Sequence, residues 1–336
     1  MLQLINKTPY APAMFLFPDE HGVDTMYAVA KATFDISTES PTLAETQTPV
    51  QLADEYFGEP GASSVKYASE AHLMKPGTDV VVVGEAVAPG GKAVLALDVV
   101  LAVDDRKQRI HVVGDRQWKG TGLKAWAGDP EPFSRMPLIY ERAFGGMQSV
   151  ERSDGTTEVY AEPANPVGVG FRGKRSFEEI QVEPVPNLEH PDAPVTAPKS
   201  KGTPVGFGFV APWWSPRIKY IGTYDAAWQR NRAPYLPKDF DNRFFNVAPA
   251  GWVFEAGLKG GEPVFIENMS DRGAQGFELP AVSVGFEVVV AGRTVRPEAR
   301  LETVLIEPGE AKMCLTYRAS VPCDKKALEV SEVRIV

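Results

Sequence analysis

The chain has 336 residues, 43% hydrophobic and 24% charged, enough apolar material for one large β domain or two ordinary ones. Its net charge of -9 and pI near 5.2 argue against nucleic acid and anionic membrane as partners. The 30 Gly and 29 Pro argue against a helical bundle and for short strands joined by turns and long loops.

The opening stretch MLQLINKTPYAPAMFLF is apolar but lacks a basic leading region, and Pro9 and Pro12 interrupt any helix, so it does not read as a signal peptide. The longest apolar run, residues 94–103, contains Asp98 and is too short to cross a bilayer. The expectation is a cytoplasmic protein without membrane insertion. Residues 13–17 read as a strand, 18–22 as a turn and 24–36 as a longer strand. In that strand Ala28, Ala30, Ala32, Phe34 and Ile36 share one face, and Lys31, Thr33 and Asp35 the other. This period of two predicts a half-buried sheet.

Residues 41–76 are polar and irregular and predict loops with one or two short strands. Residues 79–88, 92–103 and 109–114 then predict three strands of an antiparallel meander, turning at Pro89-Gly90-Gly91 and at residues 104–107. From about residue 115 loops rich in Gly, Pro and aromatics take over. Ser176 and Glu179 have the spacing of a capping box, predicting a short helix. The Pro-rich residues 183–204 predict an extended segment that covers or links something. Residues 223–230 predict a helix with Thr223 as N-cap. Beyond residue 249, strands are predicted at 252–257, 263–268, 282–291, 301–306 and 312–319, with 331–336 as a last edge strand. The fold class is mainly β: antiparallel sheets or sandwich-like layers joined by a long loop-rich, aromatic centre with few short helices. Residues 1–125 form an N-terminal antiparallel β region, and 126–336 a loop-rich centre plus C-terminal β region packed as one unit with it.

Few residues are placed for catalysis. Residues 168–173 match a dinucleotide-site glycine pattern, but no βαβ alternation surrounds them, so the glycines read as permitting a tight loop. Asp239 and Asp241 flank Phe240 and have carboxylates for a hard cation, whereas the adjacent Lys238 and Arg243 favour a salt-bridged loop. His21, His72, His111 and His190 are scattered without zinc-site spacing. Cys314 and Cys323 are too few for a disulfide framework and read as reduced structural thiols, with a bridge across a strand end left open. No metal, cofactor or catalytic residue is expected. The centre is instead dense in Tyr, Trp, Phe and Arg, residue types of interface hot spots and also of β-protein corners. It carries an echo, PVGVGF at residues 166–171 and PVGFGF at 204–209, which predicts paired loops of similar shape.

Three motifs bear a family resemblance: YERAFGG at residues 140–146, NPVGVGF at 165–171, and the run from WWSPR to DFDNRFFNVAP at 213–249. With the opening LINKTPYAPAMFLF and the following YAVAKATFDI, they resemble a bacterial family known as domain of unknown function 2169. The resemblance implies an adaptor or chaperone rather than an enzyme. It would stabilise a type VI secretion toxin effector, through its PAAR-like N-terminal part, and help load it onto the VgrG spike. Motif positions carried over as partner-binding or motif-core residues are Tyr140, Arg142 and Phe144 in the first motif and Phe171 in the second. In the third run they are Trp213, Trp214 and Arg217, then Tyr224, Asp225 and Trp228, and finally Asp239, Asp241, Arg243 and Phe244. Two other readings stand beside it. One is a carbohydrate-active or hydrolytic β-sandwich using Glu141, Asp225, Asp239 or Asp241, and the other is a structural piece of the spike itself.

Overall fold

A computed structural model describes residues 2–120, 124–176, 178–181 and 183–336. The protein is mainly β, with several antiparallel sheets. The opening hairpin forms as its alternation predicts: Ala11–Pro18 pairs antiparallel with Asp24–Asp35. Asp19 closes its turn by accepting from the His21 and Val23 amides. The hairpin lies at one side of the largest sheet. From the other side the order is Val253–Phe254, Thr78–Val82, Arg300–Glu307, Lys312–Pro322, Asp24–Asp35 and Ala11–Pro18, with Thr42–Leu43 also on Asp24–Asp35. Strands from both ends of the chain therefore share one sheet.

The predicted meander is only partly present. Ala96–Val103 and Arg106–Val113 form its hairpin, in a five-stranded sheet with Pro263–Glu267, Gln275–Glu278 and Leu188–Glu189. Thr78–Val82 leaves that neighbourhood for the larger sheet, where it runs parallel to Arg300–Glu307 and antiparallel to Val253–Phe254. Val80, Val81 and Val82 are all buried, so this unalternating apolar run needs cover on both faces, which a central position supplies. The predicted terminal edge strand is also interior: Val330–Ile335 lies between Gln3–Asn6 and Phe286–Val290.

The apolar face of the large sheet carries Ala28, Ala30 and Ala32 with Leu315 and Val304. It joins Leu101 and Ile110 of the five-stranded sheet and Val288 and Val333 of the four-stranded sheet in one buried core. Its opposite face is where the expectation of a half-buried strand fails. Lys31, Thr316, Thr303 and Asp79 stand directly opposite one another on four successive strands and so share that face. Each is buried, Lys31 with 4% of its surface exposed and Asp79 with 0%. The cover comes from the irregular segment before residue 76, which brings Gln51, Glu70, His72 and Lys75 against the sheet.

Helix is scarce. Ala226–Asn231 is the one α-helix among the described residues, and its N-cap is Asp225, not Thr223. The Asp225 carboxylate accepts from the Trp228 amide at 2.7 Å, while Thr223 is engaged elsewhere. The capping box at Ser176 and Glu179 makes both of its reciprocal bonds but closes a turn rather than a helix. Both cysteines are free and buried, which pushes their thiols up.

Candidate functional site

The fourteen motif residues separate into a buried hub and an exposed lobe. The hub is built on residues 140–145. Val169–Gly170 of the first echoed loop runs parallel to Phe144–Gly145, while in the second Gly206 lies against the Tyr140 ring and Phe207 accepts from the Val82 amide. Asn165, fully buried, donates to the carbonyls of Tyr140 and Phe144 at 2.8 and 3.0 Å and fastens the first loop. Close packing here explains the glycines. A Cβ on Gly145 would stand 2.1 Å from the Asn165 carbonyl, and one on Gly206 2.8 Å from the Tyr140 ring.

Tyr140 and Trp214 meet edge to face at 5.2 Å, and Trp213 meets Trp214 edge to face at 5.5 Å. Trp214 is 0% exposed, whereas Trp213 is half-buried and packs against the edge of the core. Phe144 belongs to a separate small cluster with Trp118, Ile180, Val185 and Val195. Phe171 is half-buried, and its carbonyl accepts from Arg175. Arg142 donates to Asp115 and Asn187 at 2.9 and 3.0 Å, tying the hub to the Pro-rich segment. Arg217 lies over the Phe244 ring at 5.1 Å and donates to the carbonyls of Phe244 and Val210. Burial brings its pKa down to about 10. These residues hold loops to sheets; they are mostly not a surface.

The lobe spans residues 222–240. It is clasped at its base by Asp239, which accepts from the Thr223 amide and hydroxyl at 3.0 and 2.7 Å and is thereby held below the usual carboxylate range. Within it Tyr224 and Trp228 stack edge to face at 4.6 Å, and the Trp228 indole donates to the Tyr235 carbonyl. The Arg232 guanidinium lies 5.7 Å from the Tyr235 ring and donates to the Glu20 carbonyl, anchoring the lobe on the hairpin turn. Tyr224 and Tyr235 remain 48% and 41% exposed. Beside the lobe Arg243 pairs with Asp241, which holds that carboxylate low, and covers the Tyr220 ring at 4.5 Å. Residues 217–245 carry six Lys or Arg against three Asp, with Arg217 among the six buried in the hub. Tyr220, Arg232 and Tyr235 lie in the same run as the motif residues and complete this surface.

The proposed catalytic acids do not converge. Glu141 accepts from the Ser64 amide and hydroxyl, both at 2.7 Å. Asp225 caps the helix, Asp239 clasps Thr223 and Asp241 pairs with Arg243. Among the described residues no group of three or more His, Cys, Asp or Glu is arranged to hold a metal ion.

A family model described as an uncharacterized protein conserved in bacteria, DUF2169, matches residues 21–318, the span that holds hub, lobe and most of both larger sheets. The chain belongs to that family. Neither a curated protein nor a solved structure matches it.

The DUF2169 chain also contains a charged layer that sequence reasoning missed, on the covered face of its large sheet. Glu70 accepts from Lys31, Thr316 and the Gln51 amide. Glu302 accepts from Arg318 and the Lys75 amide. Asp79 accepts from Lys75, Asn246 and the Val247 amide. Arg318 is 0% exposed. The available signal was charge inside strands that are otherwise apolar, Asp79 ahead of a valine run and Arg318 within MCLTYRASV.

His72 sits in this layer, stacked on Phe245 at 5.5 Å. Desolvation, with the nearby Arg318 and Lys75 charges, holds its pKa well below 6.5, so it is neutral in the fold. The unfolded chain then binds the extra proton. The stabilising contribution is complete above about pH 6.5 and declines as pH falls toward the lower folded value. Urea melts between pH 7.5 and 5 should show stability falling by up to about 1.4 kcal/mol per pH unit from this one group. His72→Phe should flatten that slope, and an unchanged slope would remove His72 as its cause.

Proposed function

We propose that this protein is a non-catalytic adaptor that binds a type VI secretion toxin effector and helps load it onto the VgrG spike, with the effector's PAAR-like N-terminal part as the bound region. The observation that carries the reading is the lobe. It presents Tyr224, Trp228 and Tyr235 together with Arg230 and Arg232, the residue types of interface hot spots. Its rings are already fixed by internal contacts, and its base is clasped by Thr223 and Asp239, so little ordering is needed on binding. The carboxylates that an enzymatic reading would use are engaged with local donors, and none is paired across a cleft with another.

The test is co-expression with a PAAR-like effector and a VgrG protein from the same genome, with complex mass read by size exclusion and light scattering. A soluble complex containing the effector is expected. The double variant Tyr224→Ala/Tyr235→Ala should weaken that complex by about 30-fold or more while leaving the unfolding transition close to wild type. Wild-type affinity in the variant would move the contact away from the lobe. Failure of the wild-type protein to bind or solubilise the effector would overturn the adaptor reading.

A further inference from the structure

The charged layer encloses a cavity of about 160 Å³, between Asp24–Asp35, Arg300–Glu307 and Lys312–Pro322 on one side and residues 48–75 on the other. We propose that this cavity is a binding site for a small carboxylate with a short hydrocarbon part, a function separate from the lobe and independent of the adaptor reading.

The argument begins with donors and acceptors. Lys31, Lys75 and Lys312 all line the cavity, and each ammonium carries three N–H groups. Lys31 uses one, on Glu70 at 2.9 Å. Lys75 uses two, on Asp79 and Thr303, both at 2.8 Å. Lys312 uses one, on Glu307 at 2.8 Å. Among the described residues, two N–H groups of the buried Lys31 and one of the buried Lys75 are thus left without a protein acceptor, with two more on the part-exposed Lys312. The acceptors are not in the same position. Glu70 already receives Lys31, Thr316 and the Gln51 amide, and Glu307 receives Tyr67 and Lys312. Glu55, the remaining lining acid, lies at the exposed rim and pairs with Lys66. A guest rich in acceptors fits this wall.

The lining holds three cations, Lys31, Lys75 and Lys312, and three carboxylates, Glu55, Glu70 and Glu307, so hydrogen-bonding capacity rather than net charge selects the guest. A carboxylate accepts and does not donate, which matches unused N–H groups beside acids that already have their donors.

Size and shape choose among anions. The volume is close to that of an engineered cavity that admits benzene, whereas a single water needs roughly a tenth of it. Phe209, Val247 and Leu305 add apolar surface to the lining, which suits a hydrocarbon chain better than a bare phosphate.

The test uses the full-length protein, dialysed free of carboxylate buffers, at pH 7.5. Butyrate and succinate should raise Tm by at least about 2 °C at saturating concentration and give saturable heats in calorimetry. Butyramide, of the same shape without charge, should do neither. Lys312→Gln removes the charge and one donor at the more exposed lysine of the lining, and Ser69→Leu places a larger side chain in the lining without touching the ion pairs. Either variant, once shown to fold by its own cooperative melt, should lower affinity for butyrate by about tenfold or more. Four results would overturn the proposal: no response to either carboxylate, an equal response to butyramide, a response to phosphate alone, or wild-type affinity in both variants.

Discussion

Asp79→Ala is expected to destabilise the protein by about 3–5 kcal/mol, the largest effect of any single change in the charged layer. Asp79 is fully buried and receives three donors: the Lys75 ammonium at 2.8 Å, the Asn246 amide at 3.0 Å and the Val247 backbone amide at 2.9 Å. Alanine removes all three acceptor contacts and leaves Lys75, itself buried, with only the Thr303 hydroxyl. An ammonium without its counterion in a low-dielectric interior dominates the cost. The reverse change is predicted to be milder. Lys75→Met leaves Asp79 with two N–H donors still in place, and the methionine stem replaces the lysine stem in similar volume. The double variant should therefore cost less than the sum of the two. Urea melts of wild type, both single variants and the double variant give the comparison. Simple additivity would show that the pair does not act as a unit, and equal costs for the two single variants would remove the predicted asymmetry.

Trp214→Ala is expected to cost a similar amount, about 3–5 kcal/mol, for a different reason. The indole is fully buried at the centre of the hub, edge to face with both Tyr140 and Trp213, and its removal leaves a cavity where three chain segments meet. Ile218 donates its amide to the Trp214 carbonyl, so relaxation of the site would also disturb the turn that carries Arg217. Trp228→Ala is the control. Trp228 is an equally large aromatic in the same motif run but stands on the lobe, half-buried beside the exposed Tyr224. Its loss should change stability by about 1 kcal/mol or less. If both variants unfold at the same denaturant concentration, the division into hub and lobe is wrong. If they separate as expected, Trp214 belongs to the fold and Trp228 is available to a partner.

That division was not visible in the motifs. WWSPR and GTYDAAWQRNRAPY have the same composition, aromatic and Arg-rich, and both read as interface or as loop core. One is buried because Tyr140 packs edge to face on Trp214, and the glycines of PVGFGF lie against that Tyr140 ring. The other stays exposed because the Thr223–Asp239 clasp pinches residues 222–240 into a lobe supported from below by the hairpin turn. Both partners of each contact are distant in sequence or lack any periodic signal, so composition alone gives the same reading for opposite fates.

The sequence by itself determined the opening hairpin, the hairpin of Ala96–Val103 with Arg106–Val113 and the two faces of Asp24–Asp35, but not Gln3–Asn6, Gln275–Glu278 or the hairpin of Met147–Glu151 with Thr157–Ala161. Asp24–Asp35 alternates as its residues dictate, because a pleated chain sends successive side chains to opposite sides. The same rule placed Thr316 and Arg318 away from Leu315 and Tyr317 on the neighbouring strand. Which strands became neighbours, and what covered the polar face, only the tertiary structure decided. Thr78–Val82 chose Arg300–Glu307 across more than two hundred residues instead of the adjacent hairpin, because an apolar strand must bury both faces. Lys31 met Glu70 rather than water because a segment with no pattern of its own folded over it, bringing carboxylates and backbone donors that match the sheet's charges. Alternation is local backbone geometry and is written in every few residues. Burial of a charge depends on a partner arriving from elsewhere in the chain, and nothing local records that arrival.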